Sequence, residues 1–312
     1  MTSTEPVTVE NFVRAETDRM FDFVLKDTGA INAWAHNRVP TPLDHQPVIR
    51  QNRDTLYSAA VVDVSKGATL TVPESGDRYV SAMVISQDHF VPFIIHAAGD
   101  HTLSRENCGT DYVTIAVRTL VNPDDAADVE AVNALQDRFA IQANSAVPFT
   151  HPAYDEESFN DTRGHLLALS KGLPDFRNAF GKEGEVDPIR HLLGSASAWG
   201  GFPEHEAIYL NVEPKLPVGH YELTVRDVPV DAFWSITVYN PAGYMSQNDR
   251  GVVSVNSVTA APNADGSVTV RFGDGDEPNA IPTPEGWNYM VRLYRPRREA
   301  QSREWIFPSI TA

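Results

Sequence analysis

The chain has 312 residues, enough to bury a sizeable core in one large domain or two ordinary ones. Lys and Arg number 25 against 42 Asp and Glu, a formal net charge of −17, and no basic run exceeds Arg297-Arg298, so neither nucleic-acid phosphates nor an anionic membrane surface is an expected partner. With 42% apolar and 21% charged residues the composition is that of a folded globular protein, and no stretch approaches the roughly 20 apolar residues that span a bilayer.

Met1 to Glu10 has no basic stretch followed by an apolar core, so no secretory signal is read there. The lone Cys108 cannot form an intramolecular disulfide or a multi-cysteine metal site, and a reducing cytoplasm is the expected compartment. The first element is a helix over about Thr8–Lys26, with Thr8 as N-cap, Glu10 in the first turn, and Val13, Met20 and Val24 near helical spacing. Val39 to Pro47 holds three prolines and reads as extended loop. Short runs rich in Val, Ile and Tyr follow at Leu56–Val64, Ala68–Val72, Tyr79–Ile85, Phe90–His96 and Tyr112–Thr119, separated by Gly, Pro, Asp and Ser, and these predict strands.

The period then changes. Asn122-Pro123-Asp124-Asp125 starts a helix carrying Val129, Val132, Leu135 and Phe139. A second helix is expected over about Asp155–Lys171, stopped by Gly172; Pro174 opens a short third one. Asp187-Pro188 opens a fourth, with Ile189, Leu192, Leu193 and Ala196 on one face, ending at Gly200-Gly201. Strands are expected again at Ala207–Val212, His220–Val225, Ala232–Asn240, Val252–Ala260, Ser267–Phe272 and Tyr289–Tyr294, with Asn263-Ala264-Asp265-Gly266 as a hairpin turn. Helices and strands are segregated, which favours an α+β fold: two β-rich, mostly antiparallel, sandwich- or barrel-like domains around a helical middle. The expected divisions are residues 1–145, a helical connector at 146–205, and 206–312.

Phosphate loops, dinucleotide fingerprints, H-E-x-x-H and G-x-S-x-G are all missing from the sequence, and Asp274-Gly275-Asp276-Glu277 is too short for a calcium loop. The most unusual polar segment is Val48-Ile49-Arg50-Gln51-Asn52-Arg53-Asp54-Thr55-Leu56-Tyr57-Ser58. It fits an anion-gripping or acid–base cluster, or equally an Arg–Asp pair that fixes strand register. His89 follows Asp88 at a strand end and His36 closes an aromatic stretch; either is a base or ligand candidate, or a satisfied structural residue. Trp199 at Gly200-Gly201 offers a ring wall. Phe233, Ser235, Thr237 and Tyr239 alternate with the core-facing Trp234, Ile236 and Val238, and Arg292 shares a strand face with Tyr294.

Asn52-Arg53-Asp54-Thr55-Leu56-Tyr57-Ser58, Asp63 and Gly76-Asp77-Arg78-Tyr79 resemble the signature of domain of unknown function 1254. Phe233 to Asn240, Asp265-Gly266-Ser267, Gly286-Trp287-Asn288-Tyr289 and Arg292-Leu293-Tyr294-Arg295-Pro296, with Trp305 and Pro308, resemble domain of unknown function 1214. The resemblance spans about residues 10 to 308, in the order usual for the pair, and is to a shorter, unexported variant. It implies two β-rich, jelly-roll-like domains in tandem and no particular chemistry.

Two functions are open at this point. The first is an enzyme acting on a small organic molecule in a pocket between the β-rich halves, by hydrolytic or metal-assisted chemistry. Asp54, Tyr57 and His89 would move protons. Arg50, Asn52, Arg53, His36, Trp199, Tyr239 and Arg292 would bind substrate. The second is a non-catalytic binder of a small ligand or carbohydrate. No residue is assigned to a metal; a metal cofactor and homo-oligomerisation stay open.

Overall fold

The computed structural model describes residues 4–46 and 49–311. Pro47 and Val48, which end the proline-rich loop and begin the polar segment, lie outside the described residues. In chain order the elements are α1 (Phe12–Thr28), β1 (Ala35–His36), β2 (Thr55–Asp63), β3 (Ala68–Val72), β4 (Val80–Ser86), β5 (Phe93–Ile95), β6 (Gly99–Leu103), α2 (Arg105–Cys108), β7 (Tyr112–Leu120), α3 (Ala126–Gln136) and β8 (Ala140–Ala143). Then come α4 (Glu156–Ser170), α5 (Pro188–Ser197), β9 (Ala207–Val212), β10 (Tyr221–Val225), β11 (Trp234–Tyr239), β12 (Ser254–Asn256), β13 (Val268–Phe272), β14 (Ala280–Ile281), β15 (Asn288–Tyr294) and α6 (Arg298–Gln301). The fold is α+β, and the strand pairings with a described register are antiparallel except β13 with β14; an isolated bridge between Glu5 and Tyr154 is also parallel.

Contacts divide the chain into two compact units that do not follow chain order. One comprises Met1–Arg38, Leu56–Leu120 and Ala126–Pro203; the other comprises Val39–Thr55, Val121–Asp125 and Glu204–Ala312.

The first unit stacks a five-stranded sheet, β1-β2-β7-β4-β5, on a three-stranded one, β6-β3-β8. Alternation decides what lies between them. Ala60 and Val62 of β2, Val80, Ala82 and Val84 of β4, and Val113, Ile115 and Val117 of β7 turn one way, onto Ala68, Leu70, Val72 and Leu103. The opposite face of the five-stranded sheet is also buried, which explains why β4 is nearly continuously apolar and buried at every position. There Val61 packs on Phe21 and Val24 of α1, and α1 in turn packs with α4 and α5 through Phe12, Phe159, Leu166 and Leu193. Asp155 and Asp187 cap α4 and α5, each side chain accepting a backbone N–H of the first turn.

The second unit repeats the scheme with β12-β11-β15-β9 and β10-β13-β14. Trp234, Ile236, Val238, Tyr289, Val291 and Leu293 meet Leu223, Val225, Val270 and Phe272 in its core.

Several expectations change. The helix expected from Thr8 starts at Phe12, because residues 8–11 form a turn in which Asn11 Oδ1 accepts from Thr8 N at 2.8 Å. Residues after Pro174 form turns rather than a third helix. The strand at Phe90–His96 shortens to β5, since His89 turns the chain with φ 61°. The turn at Asn263–Gly266 forms, but β12 pairs with β11 and β13 with β10, so it links two sheets instead of closing a hairpin. Strands β6 and β8, which the sequence reading passed over, complete the smaller sheet of the first unit.

A titratable network lines α1. Tyr154 OH donates to Asp18 at 2.7 Å, and His151 faces Asp22 Oδ2 at 2.8 Å through Nε2 and the Pro152 carbonyl at 2.7 Å through Nδ1. Burial opposes charge on His151, but the Asp22 hydrogen bond, the carbonyl, and the charges of Asp22 and Asp18 outweigh it and raise its pKa. A raised folded pKa gives stability that is full below about 6.5 and lost as pH rises through the folded value. The difference in Tm between the protein and His151→Gln should therefore be largest near pH 6 and shrink towards about pH 9; a constant difference would contradict this.

Candidate functional site

The polar face of the second unit's larger sheet carries the densest buried polar cluster described. Because Trp234, Ile236 and Val238 point to the core, Ser235, Thr237 and Tyr239 point the other way, joined by Arg292 and Asn288 from the neighbouring β15. Register places Ser235 opposite Arg292 and Tyr239 opposite Asn288. All five are buried, Ser235, Thr237 and Tyr239 completely.

The segment 49–55 lies on this face. Tyr239 OH donates to the Gln51 carbonyl at 2.6 Å. Arg292 donates through Nη1 to Thr237 Oγ1 at 3.0 Å, and through Nη2 to the Arg50 carbonyl and the Tyr239 hydroxyl, both at 2.7 Å. Arg50 holds a left-handed backbone, φ 60°, which costs a non-glycine residue about 1 kcal/mol or more, and its N–H donates to the Gly243 carbonyl at 2.9 Å. Asn52 Oδ1 accepts from the N–H groups of Asp54 and Thr55, and Asn256 Oδ1 does the same for Val258 and Thr259. The two asparagines thus build two similar turns, and Asn256 Nδ2 crosses to donate to Asp54 Oδ1 at 3.1 Å.

The electrostatics follow from this packing. Arg50 and Arg292 share the Tyr239 ring, their guanidinium carbons 5.0 and 5.9 Å from its centroid. Arg50 Nη1 also donates to Asn288 Oδ1. No carboxylate among the described residues stands within ion-pair distance of either arginine. Burial, with the Arg292 charge adding to it, lowers the Arg50 pKa despite Tyr239 and Glu213. For Arg292 burial works against the charge, but Tyr239, Tyr294 and Asp54 more than offset it and its pKa rises. Asp54 is fully buried; burial outweighs Arg292, Ser235 and Asn256 and raises its carboxyl pKa. Its Oδ2 makes no well-aligned hydrogen bond, with the equally poorly matched Ser235 hydroxyl beside it, and the buried Nε of Arg53 is unmatched as well. Beside the arginines lies a flexible apolar cluster of Met245, Val253 and Met290 around Tyr239.

Of the residues singled out in the sequence, Arg50, Asn52, Asp54, Tyr239 and Arg292 meet in this cluster, while the Arg53 side chain donates to the Gly251 carbonyl at 3.4 Å. Tyr57, His89, His36 and Trp199 belong to the first unit. There His89 is wholly buried with both ring nitrogens engaged. Ser195 gives its proton to the His191 carbonyl at 2.8 Å, so its Oγ accepts from His89 Nδ1 at 2.7 Å, and His89 Nε2 accepts the Gly200 N–H at 2.9 Å. These partners assign a neutral imidazole, in keeping with burial and then the His191 charge lowering its pKa well below the usual value. Neither nitrogen is left for a substrate proton, so the catalytic expectation for His89 is not carried further. Trp199 stacks on that ring at 5.1 Å and donates to Thr17 Oγ1 at 3.1 Å. His36 Nδ1 meets Ser58 Oγ at 2.7 Å, and Tyr57 lies under the Arg118 guanidinium at 5.3 Å. Gly201 leaves room for Phe180: a Cβ there would lie 2.3 Å from its ring. Gly201→Ala should cost about 1–3 kcal/mol in urea unfolding; an unchanged midpoint would contradict that packing.

The sequence reading did not single out Asn256 or Asn288 as site residues. Asn256 carries the one visible signal, since Asn256-Ser257-Val258-Thr259 repeats the Asn-x-x-Thr spacing of Asn52-Arg53-Asp54-Thr55. Among the described residues no three His, Cys, Asp or Glu side chains gather to hold a metal ion, and no helix is long and apolar enough to cross a membrane.

Fold and site together define a two-unit α+β protein of paired antiparallel sheets, one unit of which encloses an arginine–tyrosine–aspartate cluster. Two family models match the chain in tandem: Protein of unknown function (DUF1254) at residues 31–93 and Protein of unknown function (DUF1214) at 214–298. The cluster draws Asn52 to Asp54 from the first stretch and Tyr239, Asn256 and Arg292 from the second, all within one compact unit. No curated protein matches significantly in sequence. Among solved structures, the VPA0106 protein from Vibrio parahaemolyticus is similar at 16% identity and a TM-score of 0.76, over 97% of this chain and 98% of that one. An uncharacterised protein from Burkholderia cenocepacia is similar at 14% identity and a TM-score of 0.54, over 96% and 86%. At these identities the likeness is one of fold.

Proposed function

We propose that the protein binds a small organic carboxylate with an apolar body, held by Arg50 with Arg292 behind it. One observation carries this reading: two guanidiniums share the Tyr239 ring with no carboxylate of the described residues in ion-pair reach. Like charges brought together at low dielectric are costly, and an added anion relieves that cost. Arg50 is the half-buried, approachable member; Arg292 is locked. Met245, Val253 and Met290, buried around Tyr239, supply adaptable apolar packing next to the cluster.

A second reading, an enzyme acting on the same ligand class, is favoured by Asp54, whose poorly matched Oδ2 and raised pKa suit a general acid.

Calorimetry with benzoate, butyrate and inorganic phosphate tests the proposal. Benzoate should bind more tightly than phosphate, and Arg50→Gln should weaken it about tenfold or more while keeping its Tm, the loss expected for one charge-assisted contact. No binding of either carboxylate, or equal affinity in Arg50→Gln, would overturn it.

A further inference from the structure

We propose that the site takes up its carboxylate together with one proton, which goes to Asp54. This inference rests on the carboxylate-binding reading above and adds its pH control.

Asp54 is 0% exposed, and its Oδ1 is taken by Asn256. Its charge acts on Arg292 and helps to raise the Arg292 pKa. A ligand carboxylate brought to Arg50 and Arg292 would place a second negative charge in the same field. Two carboxylates sharing one site do not both stay ionised, and the buried one, already disfavoured by burial, takes the proton. That proton comes from solvent and bonds to Oδ2, which makes no well-aligned hydrogen bond. Oδ2 then becomes a donor, and the Ser235 hydroxyl beside it, 0% exposed, turns from donor to acceptor.

The other groups around Asp54 do not compete for this proton. From β15 come Arg292 and, through its field, Tyr294. From β11 come Ser235, Thr237 and Tyr239, and from β12 Asn256. Arg50, Asn52 and Arg53 lie on its own segment, and residue 121 contributes only a backbone N–H. Arginines and tyrosines titrate far above neutrality, and burial raises Tyr239 further.

The experiment is titration calorimetry of the full chain with benzoate, in pairs of buffers with different ionisation enthalpies, from about pH 5.5 to about pH 8.5, where benzoate itself stays ionised. The expected result is uptake approaching one proton over part of that range, with affinity falling up to tenfold per pH unit there. Asp54→Asn should bind without uptake. Infrared difference spectra of the unmutated protein should show a protonated carboxyl appearing with benzoate, a readout that does not depend on the variant. Benzoate binding with no uptake at any pH, or with equal uptake in Asp54→Asn, would overturn this inference and leave the binding reading standing. Absence of any carboxylate binding would overturn both.

Discussion

Replacing Arg292 with methionine is expected to lower the free energy of unfolding by about 3–5 kcal/mol, because breaking a buried, hydrogen-bonded charge network strands its remaining members. The Tyr239 and Thr237 hydroxyls and the Arg50 carbonyl each lose their donor, and Asp54 stays buried without its cation. Methionine matches the length of the arginine stem, so the loss reports on the guanidinium rather than on volume. Adding Asp54→Asn should recover part of the loss, since the stranded carboxylate is then gone. Urea unfolding of both variants measures this. A loss under about 1 kcal/mol would mean that the guanidinium does not organise the cluster.

His89→Leu should cost about 2–4 kcal/mol. The Gly200 N–H loses its acceptor inside the first unit, and leucine tolerates the left-handed backbone at φ 61° poorly. His89→Asn, which accepts that backbone more readily, should cost less. Equal losses from the two variants would mean that packing on Trp199 and Phe180, at 5.1 and 5.7 Å, is what the ring supplies.

Much of the fold was legible locally. Asp155 and Asp187 announce their helices because a carboxylate accepting first-turn N–H groups is a local event. The alternation at residues 233–239 foretold which side chains meet the core and which share the opposite face. What escaped was non-local. Strands β6 and β8 are short, β6 is largely polar, and only pairing with β3 makes them strands. The turn at Asn263–Gly266 has hairpin chemistry, yet long-range pairing assigns its flanks to different sheets. For the site, the sequence marked Arg50 to Asp54 as unusual. It did not show that residues 39–55 belong with the second unit, where Asp54 meets a partner 202 positions away. His89 looked like a base because a histidine after a carboxylate often is one; its two fixed hydrogen bonds are visible only in three dimensions.

The central claim is that Arg50 and Arg292 hold a carboxylate. It is tested most directly by the anomalous scattering map of a crystal soaked with 4-bromobenzoate. A bromine peak beside Met245 and Met290, with the carboxylate on Arg50, is the expected result; no ordered bromine there, or a peak only at other surfaces, would contradict it.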